Sequence, residues 1–499
     1  MMDDREKSDG RVVPGKLPNN AQGGAAEAVE GRRSAKGNTT SETRPGHGAG
    51  QSALSGLGRV RRVAATGKEA RFTALLHHVD VDCLRVAYFA LRPKAAPGVD
   101  GVTWGDYGVD LEANLRDLHA RVHRGAYRAR PSRRVFIPKP DGRLRPLGVA
   151  ALEDKILQRA LVEALNAIYE TDFLGFSYGF RPGRSPHRAL DALAAGIVGK
   201  KVNWVLDADF RDYFSSLDHQ WLERFLEHRI ADKRVLRLIQ KWMAAGVIEN
   251  GPWTAFEEGV PQGASASPLL ANIYLHYVFD LWAHQWRTRH AHGDVVITRF
   301  ADDFVVGFEH REDAERCWAD LGDRLAKFGL ELNAEKTRLI EFGRHAARDR
   351  KARGLGKPET FQFLGFTHVC GKTRKSGRFK LKRITDSKRM RAKLLAVKRE
   401  MWKRMHLPVP EQGRWLARVL QEHYNYYAVP DNIEALSAFR YQIIRHWLKS
   451  LRRRSQKHRM AWTRMERLAD QWLPQPRILH PWPEQRFAAI TQGRSPVRV

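Results

Sequence analysis

Cysteine is scarce in this chain, which has three, Cys83, Cys317 and Cys370, among 499 residues. Their wide spacing excludes a disulfide framework and a Cys-x-x-Cys zinc module. Also missing are an uninterrupted run of about 20 apolar residues, a lipidation signal and the apolar core of a secretion signal. The sequence therefore predicts a cytoplasmic protein without a membrane partner.

Acidic residues are few relative to basic ones, with 56 Asp and Glu against 86 Lys and Arg, a net charge of +30 and a pI near 10.3. Such a balance predicts a polyanionic partner. The excess is concentrated between Gly371 and Val499, which hold 31 Lys and Arg but 9 Asp and Glu, a difference of +22. A solvated surface usually mixes both signs, so this region is the first candidate for binding nucleic acid.

Composition divides the chain into five ranges. Residues 1–67 are rich in Gly, Ala, Ser, Arg and Pro and are predicted to be a disordered basic tail. Apolar spacing begins near Phe72, and residues 68–130 and 131–370 alternate between helix and strand patterns. Residues 371–480 are predicted to be helical and basic, and residues 481–499 form a short tail.

The most informative stretch is residues 295–308, where two β-prone runs flank an Ala301-Asp302-Asp303 turn. Asp is common in turns, so the pair alone has an ordinary explanation. A third acid lies in another apolar run, residues 204–210, which contains both Asp207 and Asp209. Acids from two neighbouring strands can hold two Mg²⁺ ions about 3.5–4 Å apart, as in-line phosphoryl transfer requires. The sequence therefore predicts a nucleotidyl-transfer centre.

Three further stretches combine cations with turn or aromatic residues. Residues 133–147 form a predicted hairpin on Asp141-Gly142, and residues 175–186 form a Gly- and Arg-rich loop with aromatics that could approach a phosphate backbone. A solvated face and a plain turn explain them equally well. In the C-terminal part, residues 424–427 are Tyr-Asn-Tyr-Tyr and residues 452–454 are three arginines. At least one of those tyrosines is expected in the core.

Taken together, the motifs resemble the group II intron reverse transcriptases with maturase activity. The resemblance runs from about residue 84 to 482 and depends on seven motifs in the family's order, at residues 137–147, 177–185, 206–214, 260–263, 300–303, 332–337 and 363–366. Each motif alone is weak, but seven in order are specific. One departure is Phe300, which stands where the family often has Tyr.

The resemblance implies an α/β right-hand polymerase. Residues 68–130 would extend the fingers, and residues 131–370 would form the fingers and a palm with an antiparallel sheet. Residues 371–480 would be an α-helical thumb, also called the maturase or X domain. Many family members add a zinc endonuclease with paired cysteines, and that activity is predicted absent here.

The same resemblance assigns catalysis to Asp209, Asp302 and Asp303. Asp209, five residues before Phe214, is selected over Asp207 as a metal ligand. The three carboxylates and the backbone carbonyl of Phe210 would hold two Mg²⁺ ions.

Five residues are implied to bind the incoming dNTP. Lys139 and Arg145 would grip the triphosphate, and Gln262 would lie against the nucleotide. Phe214 would exclude a 2′-hydroxyl, and Lys336 would protonate the leaving pyrophosphate. The residues predicted to contact nucleic acid are Arg181, Arg184, Tyr426, Tyr427, Arg452, Arg453 and Arg454.

The function implied is an RNA-directed DNA polymerase that binds its group II intron RNA, assists splicing and copies the intron. Its partners would be that RNA in a ribonucleoprotein, a DNA target or primer and dNTPs, and it would associate with the nucleoid when bound to DNA. The alternatives are a reverse transcriptase of a retron, diversity-generating or CRISPR-associated system, and an RNA-binding splicing factor without polymerase activity. The sequence leaves the oligomeric state open.

Overall fold

The computed structural model describes residues 49–138, 144–249, 252–254, 259–260, 263–454 and 460–486. Within these ranges the chain is a mixed α/β protein, as the sequence predicts. No helix in the described ranges is long and apolar enough to cross a bilayer. The helices are α1 (Ala49–Thr66), α2 (Val81–Ala90), α3 (Trp104–Val109), α4 (Leu111–His123), α5 (Leu152–Tyr169), α6 (Pro186–Gly199), α7 (His219–Glu227), α8 (Lys233–Ala244), α9 (Ser267–Leu275), α10 (Leu281–Arg289), α11 (Arg311–Ala326), α12 (Ala346–Ala352), α13 (Ser387–Lys403), α14 (Val409–Tyr427), α15 (Ile433–Arg452) and α16 (Trp462–Trp472).

The strands form three small sheets. The carboxylate sheet, named for the acids it carries, has the order β6-β7-β3-β8, and the other two have the orders β2-β1-β4-β5 and β11-β10-β9. The strands are β1 (Ser132–Pro138), β2 (Leu144–Val149), β3 (Trp204–Asp209), β4 (Val247–Ile248), β5 (Trp253–Thr254), β6 (Val295–Phe300), β7 (Asp303–Phe308), β8 (Arg338–Glu341), β9 (Phe361–Phe363), β10 (Phe366–Lys372) and β11 (Phe379–Thr385).

The structure contains the two strands of each predicted hairpin. β6 and β7 pair antiparallel around the turn at Ala301 and Asp302, with Phe300 opposite Asp303, so the hairpin at residues 295–308 is confirmed. β1 and β2 also pair antiparallel. The turn predicted between them, at Asp141-Gly142, lies outside the described residues.

The predicted disordered tail, residues 1–67, includes residues that are folded. Residues 49–66 form helix α1, with Val60 and Ala64 buried, whereas residues 1–48 lie outside the described ranges. The buried Arg229 fixes the end of this helix, because its guanidinium donates to the carbonyl oxygens of Ala64 (3.2 Å) and Gly67 (2.9 Å). Small residues gave α1 a weak apolar period in the sequence, and its burial comes from tertiary packing.

Helices α9 and α10 are joined by one turn of π-helix at His276–Asp280. Such a turn inserts an extra residue into the helix and occurs often at functional sites. All five of its residues are buried. The turn includes Asp280, whose carboxylate pairs with Arg299 on strand β6 of the carboxylate sheet.

The C-terminal helical region, α13–α16, has its own core, which includes Leu416, Phe439 and Trp447. The predicted boundary at residue 371 is wrong, because it falls inside strand β10, which pairs with β11 from Phe366–Thr385 to Lys372–Phe379. The charge excess begins at residue 371, but the main-chain pairing of this hairpin continues to Thr385. The helices therefore begin only at Ser387.

The chain after α16 packs back onto the rest of the fold. The buried carboxylate of Asp191 on α6 lies 2.6 Å from Arg383 of β11 and 2.6 Å from Arg486. His187 on α6 stacks on His480 with ring centroids 3.9 Å apart. Residues 481–486, predicted as part of a tail, are thus attached to α6 and β11 by an ion pair.

Candidate active site

The acids singled out in the sequence come together at one end of the carboxylate sheet. β3 ends at Asp209 and β7 begins at Asp303, and these two residues are direct antiparallel partners. Such partners have Cα atoms about 4.5–5.5 Å apart and side chains on the same face. Asp302 occupies the turn just before Asp303. Three carboxylates from two adjacent strands thus lie at one place.

A fourth acid, Asp207, lies on the same face of β3, because strand residues two apart point the same way. Its cross-strand partner on β8 is Arg338, whose Nη2 lies 3.3 Å from Asp207 Oδ2. Burial raises the pKa of Asp207 to about 6, with the Asp209 charge adding to the rise and Arg338 opposing it. The sequence treated Asp207 only as a neighbour, whereas the structure makes it part of the acidic face.

Burial and mutual repulsion both act on these acids. Burial raises the pKa of Asp302, the Asp209 charge adds to the rise, and Arg145 and Lys336 oppose it. The pKa of Asp303 is raised well above its usual value, first by burial and then by the charges of Asp207, Asp209 and Asp302, with Arg389 opposing. A group of carboxylates in this environment is stabilised by a cation.

Lys336 supplies one such cation, because its ammonium donates a hydrogen bond to Oδ2 of Asp209. The loop that carries Lys336 is fixed on β3, since the amide of Asn333 donates to the Asp209 carbonyl at 2.8 Å. Asp209 and Lys336, two residues that the resemblance assigns to the site separately, are therefore in direct contact, although they are 127 positions apart in the sequence.

The Phe210 carbonyl points toward the acidic turn. On the β8 side, the Asp209 carbonyl accepts from Asn333 and the Arg211 amide donates to Glu331. Consecutive strand residues direct their main-chain groups to opposite edges. The N–H and C=O of Phe210 therefore face the β7 side, where the turn lies.

Phe214 lies in a short 3₁₀ turn, Tyr213–Ser215, and is buried. Its carbonyl accepts a 2.9 Å hydrogen bond from the amide of Val260. Gly259 approaches this turn closely at φ +86°, and a Cβ there would lie 2.7 Å from the Phe214 carbonyl oxygen. The motif at residues 260–263 thus contacts the Phe214 turn through Val260, but Gln262 lies outside the described residues.

The β1–β2 hairpin contributes Arg145, which is exposed on β2 and acts on Asp302 through its charge. Its cross-strand partner is Ile137. Lys139, predicted to act with Arg145, lies outside the described residues.

Sequence reasoning missed Arg299, which is fully buried beneath the acidic turn. Its guanidinium makes a bidentate pair with Asp280 at 2.6 and 2.7 Å. It also donates to the Ala301 carbonyl (2.9 Å), the Asn272 side chain (3.1 Å) and the Ser177 hydroxyl (2.7 Å). The available signal was a charged residue within an otherwise apolar strand, since buried charges need partners.

The Gly-rich loop at residues 175–186 packs against the same turn. The Tyr178 amide donates to the Arg299 carbonyl at 2.9 Å, and a Cβ on Gly179 would lie 2.2 Å from the Ala301 nitrogen. Glycine is therefore required for close approach to the hairpin. The aromatic ring of Tyr178 is buried too.

The structure contradicts the nucleic-acid contact predicted for Arg181. Its buried guanidinium pairs with Glu170 at 3.0 Å and donates to the carbonyls of Leu174 and Ser177. Arg184 also has a partner within the chain, because it donates to the Gly175 carbonyl at 2.9 Å. These arginines close the loop on itself.

In the C-terminal region the predicted contacts also have partners within the protein. Arg452 donates to the Met460 carbonyl, and Arg454 donates to the carbonyls of Met405 and Leu407. Arg453 is exposed, with its guanidinium 5.2 Å from the centre of the Trp402 ring.

The two predicted tyrosines of α14 are half-buried. The Tyr426 hydroxyl donates to the Leu364 carbonyl at 2.8 Å, and the Tyr427 ring packs 5.2 Å from that of Phe366. The expectation that at least one tyrosine of residues 424–427 belongs to the core is confirmed by Tyr424, which is buried in the core of α13–α16.

Comparison with known proteins gives a consistent result. Residues 137–368 match the family model for reverse transcriptase (RNA-dependent DNA polymerase). Protein YkfC of Escherichia coli (strain K12) is 35% identical over 314 residues, which are 55% of this chain and 81% of that protein. The group II intron-encoded protein LtrA of Lactococcus lactis subsp. cremoris is 32% identical over 222 residues, 44% of this chain and 37% of LtrA. This chain belongs to the group II intron reverse transcriptases and maturases.

A plant protein is also similar to this chain. The mitochondrial nuclear intron maturase 1 of Arabidopsis thaliana is 27% identical over 88 residues, 18% of this chain and 12% of that protein. The enzyme class of this group II intron reverse transcriptase is RNA-directed DNA polymerase. The family model covers the acids and Lys336 but ends inside β10, before helices α13–α16.

Proposed function

We propose that the protein copies RNA into DNA by two-metal nucleotidyl transfer at Asp209, Asp302 and Asp303, and that it binds its intron RNA and assists splicing. The observation that carries this proposal is the direct pairing of Asp209 with Asp303, beside Asp302 in the turn. A nucleotidyl-transfer site needs carboxylates from separate strands at one place, and this pairing supplies them.

The donor set fits magnesium. Mg²⁺ prefers oxygen ligands and usually takes one or two carboxylates together with substrate phosphates. Among the described residues, no group of three His, Cys, Asp or Glu side chains forms a complete metal site by itself. Asp209, Asp302, Asp303 and the Phe210 carbonyl would hold the ions. When bound, the ions lower the pKa of the attacking 3′-hydroxyl and neutralise charge on the phosphates.

The residues around the acids would bind the incoming dNTP. Arg145 would bind the triphosphate together with Lys139, and Gln262 would lie against the nucleotide. Phe214 would place its ring below the sugar, where a 2′-hydroxyl would clash. Lys336 would give up its hydrogen bond to Asp209, bind the leaving pyrophosphate and donate a proton to it.

The architecture proposed is that of a right hand. The β1–β2 hairpin would belong to the fingers, preceded by an extension from residue 68, and the carboxylate sheet would be the palm. The C-terminal helical region would be the thumb or maturase domain, beginning after Thr385 where the β10–β11 hairpin ends. Its cations would bind intron RNA and the primer duplex.

Replacement of Asp302 by Ala tests the proposal. Because the variant loses a carboxylate from the cation site, Mg²⁺-dependent dNTP incorporation on an RNA template should fall at least about 100-fold. RNA affinity and splicing assistance should remain, since Asp302 is an acid in the β6–β7 turn and is not one of the cations of α13–α16 that would bind RNA. Primer extension and filter binding measure the two properties separately.

The matched control is Glu335→Ala, which removes an exposed carboxylate beside Lys336. It should incorporate dNTPs like the wild type. If Asp302→Ala keeps its polymerase activity, the assignment of the metal site is wrong. If the wild type binds and splices RNA but incorporates no dNTP, the protein is a splicing factor without polymerase activity.

A further inference from the structure

A tight turn lies between the acidic face and the C-terminal helical region. Leu364 and Gly365 connect β9 to β10, both with positive φ (+49° and +80°). On one side, the segment before the turn reaches the acids through Arg338, whose guanidinium donates to the Asp207 carboxylate at 3.3 Å and to the Thr360 carbonyl at 3.4 Å. Thr360 directly precedes β9, so this short strand joins the acidic face to the turn.

On its other side, the turn is held by residues of α13 and α14. The Tyr426 hydroxyl donates to the Leu364 carbonyl at 2.8 Å. The Gly365 carbonyl accepts a 3.0 Å hydrogen bond from the amide of Asp386, the N-cap of α13. A Cβ on Gly365 would lie 3.0 Å from the Tyr427 hydroxyl and 3.2 Å from Nη1 of Arg389. The φ of +80° favours glycine at this position, and a side chain there would also press on these two groups.

Arg389 lies on the helix side of this turn, in the first turn of α13. Its Nη1 is close to Gly365, and so is the hydroxyl of Tyr427 at the end of α14. The guanidinium and this hydroxyl therefore share the space beside Gly365.

The helices that carry these residues share one core. Leu416, Leu420 and Tyr424 of α14 pack in the same core as Val397 and Met401 of α13. A displacement of α13 and α14 as a pair would therefore shift Tyr426 and Arg389 together. The hydrogen bond of Tyr426 and the contact of Arg389 with Gly365 would transmit that shift to the Leu364–Gly365 turn.

We propose that Tyr426, Tyr427 and Arg389 form a coupling junction that positions the Leu364–Gly365 turn and the acidic face relative to the C-terminal helices. When these helices hold a primer–template duplex, the junction would keep the primer 3′ end in register with Asp209 and Asp303. The inference rests on the proposed polymerase function. It assigns positioning roles to two tyrosines that the sequence had predicted to contact nucleic acid.

The decisive variant is Tyr426→Phe, which removes only the hydroxyl. Its matched control is Tyr424→Phe on the same helix, where the hydroxyl donates to the Pro474 carbonyl at 3.4 Å. One net hydrogen bond corresponds to about 3- to 10-fold in rate. In single-turnover extension of a prebound primer–template, Tyr426→Phe should slow the first nucleotide addition by that factor, while Tyr424→Phe matches the wild type. Duplex affinity should stay unchanged in both.

A second pair of variants distinguishes the effect of the position of Arg389 from the effect of losing one positive charge on α13. Arg389→Gln and Arg391→Gln each remove one cation from an exposed position of α13. Both should weaken duplex binding similarly, since counterion release counts charges. Only Arg389→Gln should also slow addition once the duplex is saturating.

The outcomes distinguish the junction from the function on which it rests. If the wild type adds no nucleotide, the polymerase proposal has failed before the junction is tested. If the wild type is active and Tyr426→Phe adds nucleotides as fast as Tyr424→Phe, the coupling junction is wrong. If Tyr426→Phe loses duplex affinity but keeps its rate at saturation, the hydroxyl contributes to binding and the positioning role is likewise wrong.

Discussion

Arg299 shows how one side chain fixes the geometry of the acidic turn. Both members of its pair with Asp280 have 0% of their side-chain surface exposed. Removing two charges from water is unfavourable, so such a pair is tolerated only when its remaining hydrogen bonds are made. Here the guanidinium also binds Ala301, Asn272 and Ser177. The carbonyl of Ala301, at φ +58°, is thereby held beneath Asp302.

Replacement of Asp280 by Asn tests the role of this buried pair. Asp280→Asn would leave the Arg299 charge without a counterion and should lower the free energy of unfolding by about 3–5 kcal/mol. Urea denaturation measures the change. The control is Glu163→Gln, which breaks an exposed pair with Arg159 (45% and 46% exposed) and should cost about 0.5 kcal/mol or less. Equal losses in both variants would contradict the role given to burial.

At the scale of elements, helices α14 and α15 pack through a buried imidazole. His423 stacks on Phe439 with ring centroids 3.8 Å apart and an interplanar angle of 15°. Burial lowers the pKa of His423 to about 4, and the charge of Lys393 adds to the decrease. The folded protein therefore holds this histidine neutral at a pH where the unfolded chain, with a value near 6.5, binds a proton.

The stability that His423 contributes is fully present above pH 6.5 and is lost as the pH falls from 6.5 to about 4. His423→Phe keeps an aromatic ring against Phe439 but cannot bind a proton. Between pH 8 and pH 5 the wild type should lose about 2 kcal/mol more than the variant. Comparison at pH 8 isolates any packing difference. Parallel losses of stability for the two proteins would show that His423 does not contribute.

At the scale of the whole molecule, charge governs the interaction with nucleic acid. The net charge of +30 is concentrated after residue 371, in the region that forms helices α13–α16. Each phosphate that a cation neutralises releases a condensed counterion, so the affinity depends on salt with a slope set by the number of contacts.

RNA binding should therefore weaken steeply with salt. With about 6–10 phosphate contacts, the affinity should fall about 10³- to 10⁵-fold between roughly 50 and 200 mM salt. A logarithmic plot of affinity against salt concentration, measured by filter binding, gives the number of contacts. A flat plot would mean that the cationic helices contribute little to binding.

Short sequence patterns predicted some strands and turns of the structure but not the partners of its charged side chains. The hairpin of Asp302 and Asp303 and the strand ending at Asp209 follow from alternating β-prone residues and a turn, which are properties of neighbours in sequence. The fate of a charged side chain is different, because it depends on partners that only folding brings near. Arg181 was predicted to meet nucleic acid, yet Glu170 and two carbonyls enclose it.

The sequence by itself determined the mixed α/β class, the acidic hairpin and the basic C-terminal helices, since composition and short-range periodicity encode these three features. The resemblance to group II intron reverse transcriptases rests instead on the order of its seven motifs. Tertiary structure alone decided that α1 packs, that β10 crosses the composition boundary at residue 371, that Arg299 and Asp280 support the turn, and that Tyr426 reaches Leu364. The physical reason is that burial and hydrogen-bond partners are set by residues far apart in the chain, whose proximity no local pattern records.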